Sequence, residues 1–201
     1  MSDLRNRRLS QVLKHRCPVQ LEWAAPAADD DYFKTVTALD VHSDDVSVTE
    51  FSQGDLTASY GYAVGMCPVP VATIAENSTD TWTSVTVEFA GLDQWGDGLV
   101  ESVSATNSTG TWTATSSHAW REIKKVTVTV AGDPDGSNDT VKIGYTKRYG
   151  YLVEGVNSSN FIVRDFNDLA DSGTFYPNSV YEIEGTPDGT KKMKMVIVPK
   201  F

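Results

Sequence analysis

The sequence predicts an all-β protein, an antiparallel β-sandwich or barrel-like body preceded by a short basic N-terminal arm. Valine and threonine are plentiful and leucine is scarce, which favours strands over helices. The segment 126–130 reads Val-Thr-Val-Thr-Val, so that three valines share one face and two threonines share the other. Turn-forming glycine, aspartate and asparagine residues recur between such runs, at the spacing typical of sandwiches and barrels.

The N-terminal 33 residues differ from the remainder. The spacing of apolar and basic residues in 3–15 predicts a short amphipathic helix, with the apolar residues on one face and the basic residues around them. Small residues, a proline and an acidic run in 23–33 are typical of a linker. We therefore expect an arm and linker over 1–33 and a β-sandwich body over 34–201.

Strands are predicted throughout the body wherever apolar and polar residues alternate. The last of them is apolar on both faces, so we expect both of its faces to be covered. In chain order the predicted strands are 35–41, 45–51, 59–64, 69–74, 85–89, 100–105, 110–115, 126–130, 140–145, 161–163, 180–183 and 193–198.

Charge is distributed unevenly along the chain. The 201 residues have a net charge of −10, 40% hydrophobic residues and 22% charged residues, which is neither a disordered nor a membrane composition. Residues 1–16 contribute about +4 and the remainder about −14. The acidic body argues against direct binding of nucleic acid, and no apolar run predicts a membrane span or a secretory signal.

Catalytic and metal-binding motifs are not apparent. The sequence has no HExxH, GxSxG, Walker or GxGxxG pattern, so we expect no enzyme and no cofactor. Its three histidines form no pair at ligand spacing, so no metal site is predicted. Cys17 and Cys67 could form a single bridge, although two free buried thiols are favoured.

One acidic loop, residues 133–139, has two interpretations. Its closely spaced side-chain oxygens could hold calcium, but it lacks the later bidentate glutamate of an EF-hand. Because Asp-Gly is a common turn between paired strands, we favour a hairpin over a calcium site.

Four tryptophans fall close together in the middle of the chain. Trp82 and Trp112 each alternate with threonines, which predicts core packing on one face of a strand. Trp95 lies among glycines and acids and is expected to be the most exposed. An exposed aromatic platform is the feature that a carbohydrate-binding sandwich would use.

The basic arm could bind nucleic acid, a membrane surface or an acidic protein. Its few charges and its apolar residues favour docking on a protein. The residues expected to contact the partner are Arg5, Arg7, Arg8, Leu9, Val12 and Leu13.

The stretch 85–150 contains a V-T-V strand ending in G-x-D-Q-x-G, the pair Ala119-Trp120, an I-x-x-V-T-V-T strand and the sequence D-T-V-x-I-G. In this order the elements resemble virion structural proteins of tailed bacterial viruses, in which a glycine-bearing turn follows D-T-V-x-I-G. That turn is replaced here by the basic and aromatic segment 146–151. The likeness extends over about residues 35–201 and excludes the arm.

This resemblance implies a capsid decoration or cement protein that binds the outside of a phage head and bridges capsid subunits. The implied partners are the major capsid protein and copies of the chain itself, with a trimer favoured among homo-oligomers. Such a protein would be part of a virion assembled in the host cytoplasm. The alternatives are a tail-tube, head–tail connector or fibre-base virion protein, and a carbohydrate-binding β-sandwich.

Overall fold

A computed structural model describes residues 19–24, 26–39, 46–56, 67–76, 81–133, 139–151, 161–164, 172–187 and 192–197. These residues form strands and no helix, which confirms the all-β prediction. None of them belongs to a helix with the length and hydropathy needed to cross a bilayer. The predicted arm helix over 3–15 and the predicted strand over 59–64 lie outside the described residues.

The strands have the following bounds: β1 Val19–Ala24, β2 Asp29–Ala38, β3 Val46–Ser52, β4 Pro68–Ala75, β5 Thr81–Asp93, β6 Gly98–Ser104, β7 Thr106–Ser108, β8 Thr111–Thr115, β9 Trp120–Asp133, β10 Thr140–Gly150, β11 Phe161–Arg164, β12 Thr174–Tyr176, β13 Val180–Glu182 and β14 Lys192–Ile197.

These strands form three antiparallel sheets. The four-stranded sheet has the order β3-β9-β5-β6. The seven-stranded sheet has the order β12-β13-β10-β4-β8-β7, with β2 also paired to β10. The small sheet has the order β1-β14-β11. The longest ladder joins β5 to β9, from Thr81 opposite Asp133 to Asp93 opposite Trp120, with three register shifts.

The four-stranded and seven-stranded sheets pack their apolar faces together as the layers of a sandwich. Val126, Val128 and Val130 of β9 are at most 2% exposed, which confirms the alternation predicted for that strand. They belong to the same hydrophobic cluster as Ile74 of β4 and Ile143 of β10. Burial of every second side chain between the two sheets removes apolar surface from water, and this is the main driving force for forming a sandwich.

Strand β14 is the central strand of the small sheet. Met195 is fully buried, whereas Lys194 and Val196 on the opposite face are half-buried. The strand was predicted to be covered on both faces. The face that carries Met195 is fully covered, and the face that carries Lys194 and Val196 is partly covered.

The hairpin predicted across residues 133–139 is wrong. Strand β9 pairs with β3 and β5, whereas β10 pairs with β2, β4 and β13, so the two strands belong to different sheets and are not paired with each other. Residues 134–138, on which the calcium interpretation depends, lie outside the described residues. An Asp-Gly sequence permits a tight turn but does not choose which strands pair. Here the long β5–β9 ladder already occupies one side of β9, and β3 occupies the other.

The segment 146–151 also differs from expectation. The resemblance places a turn at this position, but β10 continues to Gly150 and pairs with β13. Tyr149 is fully buried and donates a hydrogen bond from its hydroxyl to Pro26 O at 2.6 Å. Burying this ring stabilises the extended strand where the sequence suggested a turn.

One strand and the first half of another lie within residues 1–33, which were expected to be arm and linker. Residues 19–24 form β1 against β14, and the acidic run 29–31 begins β2 against β10. Phe33 is 2% exposed and joins the main cluster, although the expected linker included it. The sheet accommodates the acidic run because Asp30 is exposed and forms an ion pair with Lys142.

Candidate functional site

The arm residues that were predicted to contact a partner lie outside the described residues: Arg5, Arg7, Arg8, Leu9, Val12 and Leu13. Their role stays a prediction. The turn between β5 and β6 and two segments that contact it form a candidate site.

The turn between β5 and β6 is fixed by one aspartate. Asp93 Oδ1 accepts hydrogen bonds from the backbone N–H groups of Trp95 and Asp97, both at 2.9 Å. The backbone N of Asp93 donates to Asp97 O, also at 2.9 Å. Gly96 has φ +89°, which glycine adopts without steric cost. The turn therefore holds Trp95 in a defined place.

Gln94 points into the protein and anchors this turn. It is 7% exposed, its backbone N donates to Ala119 O at 3.0 Å, and its Nε2 donates to Asn178 O at 3.2 Å. A Cβ on Gly150 would lie 1.6 Å from Gln94 Oε1. Only a glycine at position 150 leaves room for the Gln94 amide in this position.

A hydrogen-bond network holds the corner 116–119, where the chain leaves β8 for the other sheet. Glu101 Oε2 accepts from Ser116 Oγ at 2.5 Å and lies 3.1 Å from His118 Nδ1. Glu101 Oε1 accepts from the backbone N and the Oγ of Ser117 at 2.8 and 2.6 Å. Trp120 Nε1 donates to Ser116 Oγ at 2.8 Å, so the buried indole is part of the network.

Ionisation of Glu101 is favoured by this network. Burial alone would raise the pKa of Glu101, but the hydrogen bonds from Ser116, Ser117 and His118 outweigh it and lower the pKa from its ordinary value. The carboxylate form is therefore the one that holds the corner.

The grouping of serine, histidine and glutamate does not have the geometry of a nucleophilic triad. In such a triad the hydroxyl and the carboxylate contact opposite nitrogens of the imidazole. Here Ser117 Oγ and Glu101 Oε2 both lie 3.1 Å from His118 Nδ1, and Glu101 also binds the Ser117 hydroxyl directly. The arrangement fixes a loop and does not activate the serine.

A cleft of about 330 Å³ opens where the turn, the corner and residues 177–179 meet. Asn178 and Ser179 have φ of 60° and 56°. The Asn178 amide donates to Ser117 O at 3.2 Å, which joins this third segment to the corner. The residues that line the cleft are Asp93, Gln94, Trp95, Asp97, His118, Ala119, Asn178 and Ser179.

Sequence reasoning identified only part of this cleft. Trp82, Trp112 and Trp120 are at most 8% exposed, whereas Trp95 is half-buried and lines the cleft, as expected for the most exposed of the four. The turn itself was signalled by its glycines and aspartates. No local signal points to Asn178, because the contact between Gln94 and Asn178 spans 84 residues.

Cys67 is a free, buried thiol in the described part of the chain, and Cys17 lies outside that part. Burial raises the pKa of Cys67 to about 11. The group is therefore protonated at neutral pH and has the character of a core residue, as the favoured interpretation of this cysteine expects.

The acidic run at the start of β2 brings three carboxylates together. Asp29, Asp30 and Asp31 place one oxygen each within 4.8 Å of the others. A hydrogen bond with Asp29 raises the pKa of Asp31. Asp30 and Asp31 reach solvent and Lys142 offsets part of the charge, which are features of a solvated acidic strand.

The face of the four-stranded sheet that points away from the sandwich core forms a second candidate surface, which we call the outer face. Val46, Val48 and Val100 on it are 55%, 58% and 64% exposed. The strand registers place these valines beside small polar and a few charged side chains. Its other members include Glu50, Thr86, Glu88, Ser102, Lys125, Thr127 and Thr129.

No protein-family model, curated protein or solved structure matches the chain.

Proposed function

We propose that the chain is a structural protein of a tailed bacterial virus, a decoration or cement protein that binds the outside of the head and bridges capsid subunits. It acts by binding rather than by catalysis. The observation that carries the proposal is that the separate elements of the phage-like sequence pattern contact one another.

The pattern elements form one packed unit. Gln94, from G-x-D-Q-x-G, bonds to Ala119 of the Ala119-Trp120 pair, and Trp120 begins β9, which contains I-x-x-V-T-V-T. These contacts place the elements of the pattern together in the fold, as expected if the pattern describes one structural unit.

The packing of two strands explains why the first residue of G-x-D-Q-x-G, Gly91, is a glycine. A Cβ on Gly91 would lie 2.1 Å from Glu122 O, on the neighbouring strand β9. The register between β5 and β9 shifts at this place. A glycine is therefore required where the backbones approach closely beside the shift.

The outer face supplies a contact surface suited to a protein shell. Its exposed valines lie on regular, hydrogen-bonded strands, so little conformational entropy is lost when a partner covers them. Repetition over many copies of a shell would multiply a weak contact into stable occupancy.

The basic arm is the second contact that we propose. Its charge is opposite to that of the body, so it can dock on an acidic neighbour, either the major capsid protein or another copy of the chain in a trimer. Deletion of residues 1–16 should leave the β body folded and lower the number of copies per particle. Unchanged occupancy would contradict a docking role for the arm.

The experiment that tests the proposal is a count of the chain in purified particles by quantitative mass spectrometry. A decoration protein is present in hundreds of copies, whereas a connector or tail ring holds about six or twelve, because the copy number follows the symmetry of the site. Absence from the particle would contradict every virion role.

A further inference from the structure

We propose that the cleft between the β5–β6 turn, the corner 116–119 and residues 177–179 binds a neutral saccharide. This binding site goes beyond the proposed structural role and does not depend on it. A particle protein that carries such a site would also attach to glycans.

The cleft is preorganised. Its turn is closed by the hydrogen bonds of Asp93, and Gln94 joins the turn to both the corner and residues 177–179. The Asn178 amide donates a hydrogen bond to Ser117 O, which joins residues 177–179 to the corner. Because these hydrogen bonds all join residues of the chain itself, binding does not have to order the three segments.

The walls offer the groups that a sugar ring requires. Trp95 lines the cleft and is half-buried, so the exposed part of its side chain can pack against the C–H face of a pyranose. The carboxylates of Asp93 and Asp97 can accept hydrogen bonds from sugar hydroxyls. Glu101 and Ser117 contact His118 at Nδ1, which leaves Nε2 of the ring for a ligand hydroxyl.

Charge and size select among ligands. Asp93 and Asp97 line the cleft and Glu101 contacts His118, whereas the Arg121 guanidinium beside Gly96 offsets part of this negative charge. The carboxylates outnumber this cation, so phosphates and acidic sugars are disfavoured. The volume of about 330 Å³ is at the lower end of ordinary ligand pockets and fits one or two sugar rings. A guanidinium or ammonium group would suit the carboxylates but would occupy only a small part of the cleft.

The test is a titration of the full-length, ¹⁵N-labelled protein followed through its tryptophan indole N–H signals. The probes are lactose, maltotriose, cellotriose and mannotriose, with 3′-sialyllactose as the acidic match to lactose and arginine methyl ester as a cation. The Trp95 signal is assigned with Trp95→Phe. We expect at least one neutral sugar to shift the Trp95 signal saturably, and we expect no such shift from sialyllactose.

Two variants give the prediction its specificity. Trp95→Ala and Asp97→Asn should each weaken sugar binding at least tenfold, whereas Glu50→Gln, which removes an exposed carboxylate on the outer face, should leave it unchanged. Asp97 is exposed, so its variant tests the site even if Trp95→Ala unfolds. The proposal is overturned if none of the neutral sugars shifts the Trp95 signal, if Asp97→Asn binds as the parent does, or if only the arginine ester binds.

Discussion

The sandwich interior and the Trp95 cleft are built in opposite ways. The interior is apolar and arises from alternation within single strands, as in Val126, Val128 and Val130. The cleft depends on individual hydrogen bonds between residues far apart in sequence, such as Gln94 with Asn178. We therefore expect interior substitutions to change stability most, and cleft substitutions to change local structure and binding at a smaller cost in stability.

The largest effect is expected for Phe89→Ala in the interior. Phe89 is fully buried and its ring centroid lies 6.3 Å from that of Trp120. Loss of the ring and the resulting cavity should lower the free energy of unfolding by about 3–5 kcal/mol, measured by urea denaturation. Val100→Ala, on the adjacent strand and 64% exposed, should cost less than about 0.5 kcal/mol. Similar costs for the two variants would contradict the assigned interior.

Gly150→Ala probes the boundary between the two regions. The added methyl group would overlap Gln94 Oε1 and approach the Cβ of Ala119 to 2.5 Å. We expect a loss of about 1–3 kcal/mol from overpacking, together with a shifted Trp95 indole signal.

The matched control for that variant is Gly98→Ala, because no atom lies within 4 Å of a Cβ at position 98. It should leave both the unfolding midpoint and the Trp95 signal near their original values. If Gly150→Ala behaves like Gly98→Ala, Gln94 is not held in the place described.

Glu101→Gln tests the network at the corner. A neutral amide cannot accept the hydrogen bonds from Ser116 and Ser117 on both of its terminal atoms, so we expect a loss of about 1–2 kcal/mol at pH 7. Glu50→Gln removes an exposed pair with Lys125 and should cost less than about 0.5 kcal/mol.

The pH dependence of the same variant has a definite sign. The pKa of Glu101 is lowered in the folded state, so its contribution is present above the ordinary glutamate pKa of about 4.3 and is lost as the pH falls through the lowered value. The difference in unfolding free energy between the parent and Glu101→Gln should therefore shrink from pH 7 to pH 3. A difference that grows toward pH 3 would show that the carboxylate is not stabilised by the fold.

The smallest effect on stability is expected on the outer face. Val48→Lys should change the free energy of unfolding by less than about 0.5 kcal/mol, because Val48 is 58% exposed. It should nevertheless lower the occupancy of particles, since a charge would have to be desolvated at the proposed contact. Val36→Lys, at a valine of β2 that is 60% exposed, is the matched control and should leave occupancy unchanged. If the two variants occupy particles equally, the outer face is not part of the contact with the capsid.

The contrast between the two regions also explains what the sequence could predict. Alternation is a local property, so the strand over 126–130 and the burial of Trp82 and Trp112 were predicted correctly. The partner of a strand is decided by distant residues, so β9 and β10 were mistaken for the two strands of a hairpin. Strand β1 was missed because its pairing with β14 joins the two ends of the described chain.

For the cleft, the sequence indicated only that Trp95 lies in a loop and is the most exposed of the four tryptophans. Trp95 and its turn were recognisable from aspartate and glycine spacing. Ser117, His118 and Asn178 have no pattern that separates them from ordinary loop residues, because only the folded chain brings them together.

The central claim, that the chain is a structural protein of the virus head, is tested most directly by locating and counting it in purified particles by electron cryomicroscopy. The account predicts density for the β-sandwich on the outer surface of the head, repeated between neighbouring capsid subunits in hundreds of copies. Density confined to a ring at the tail or connector, or particles that lack the chain, would contradict it.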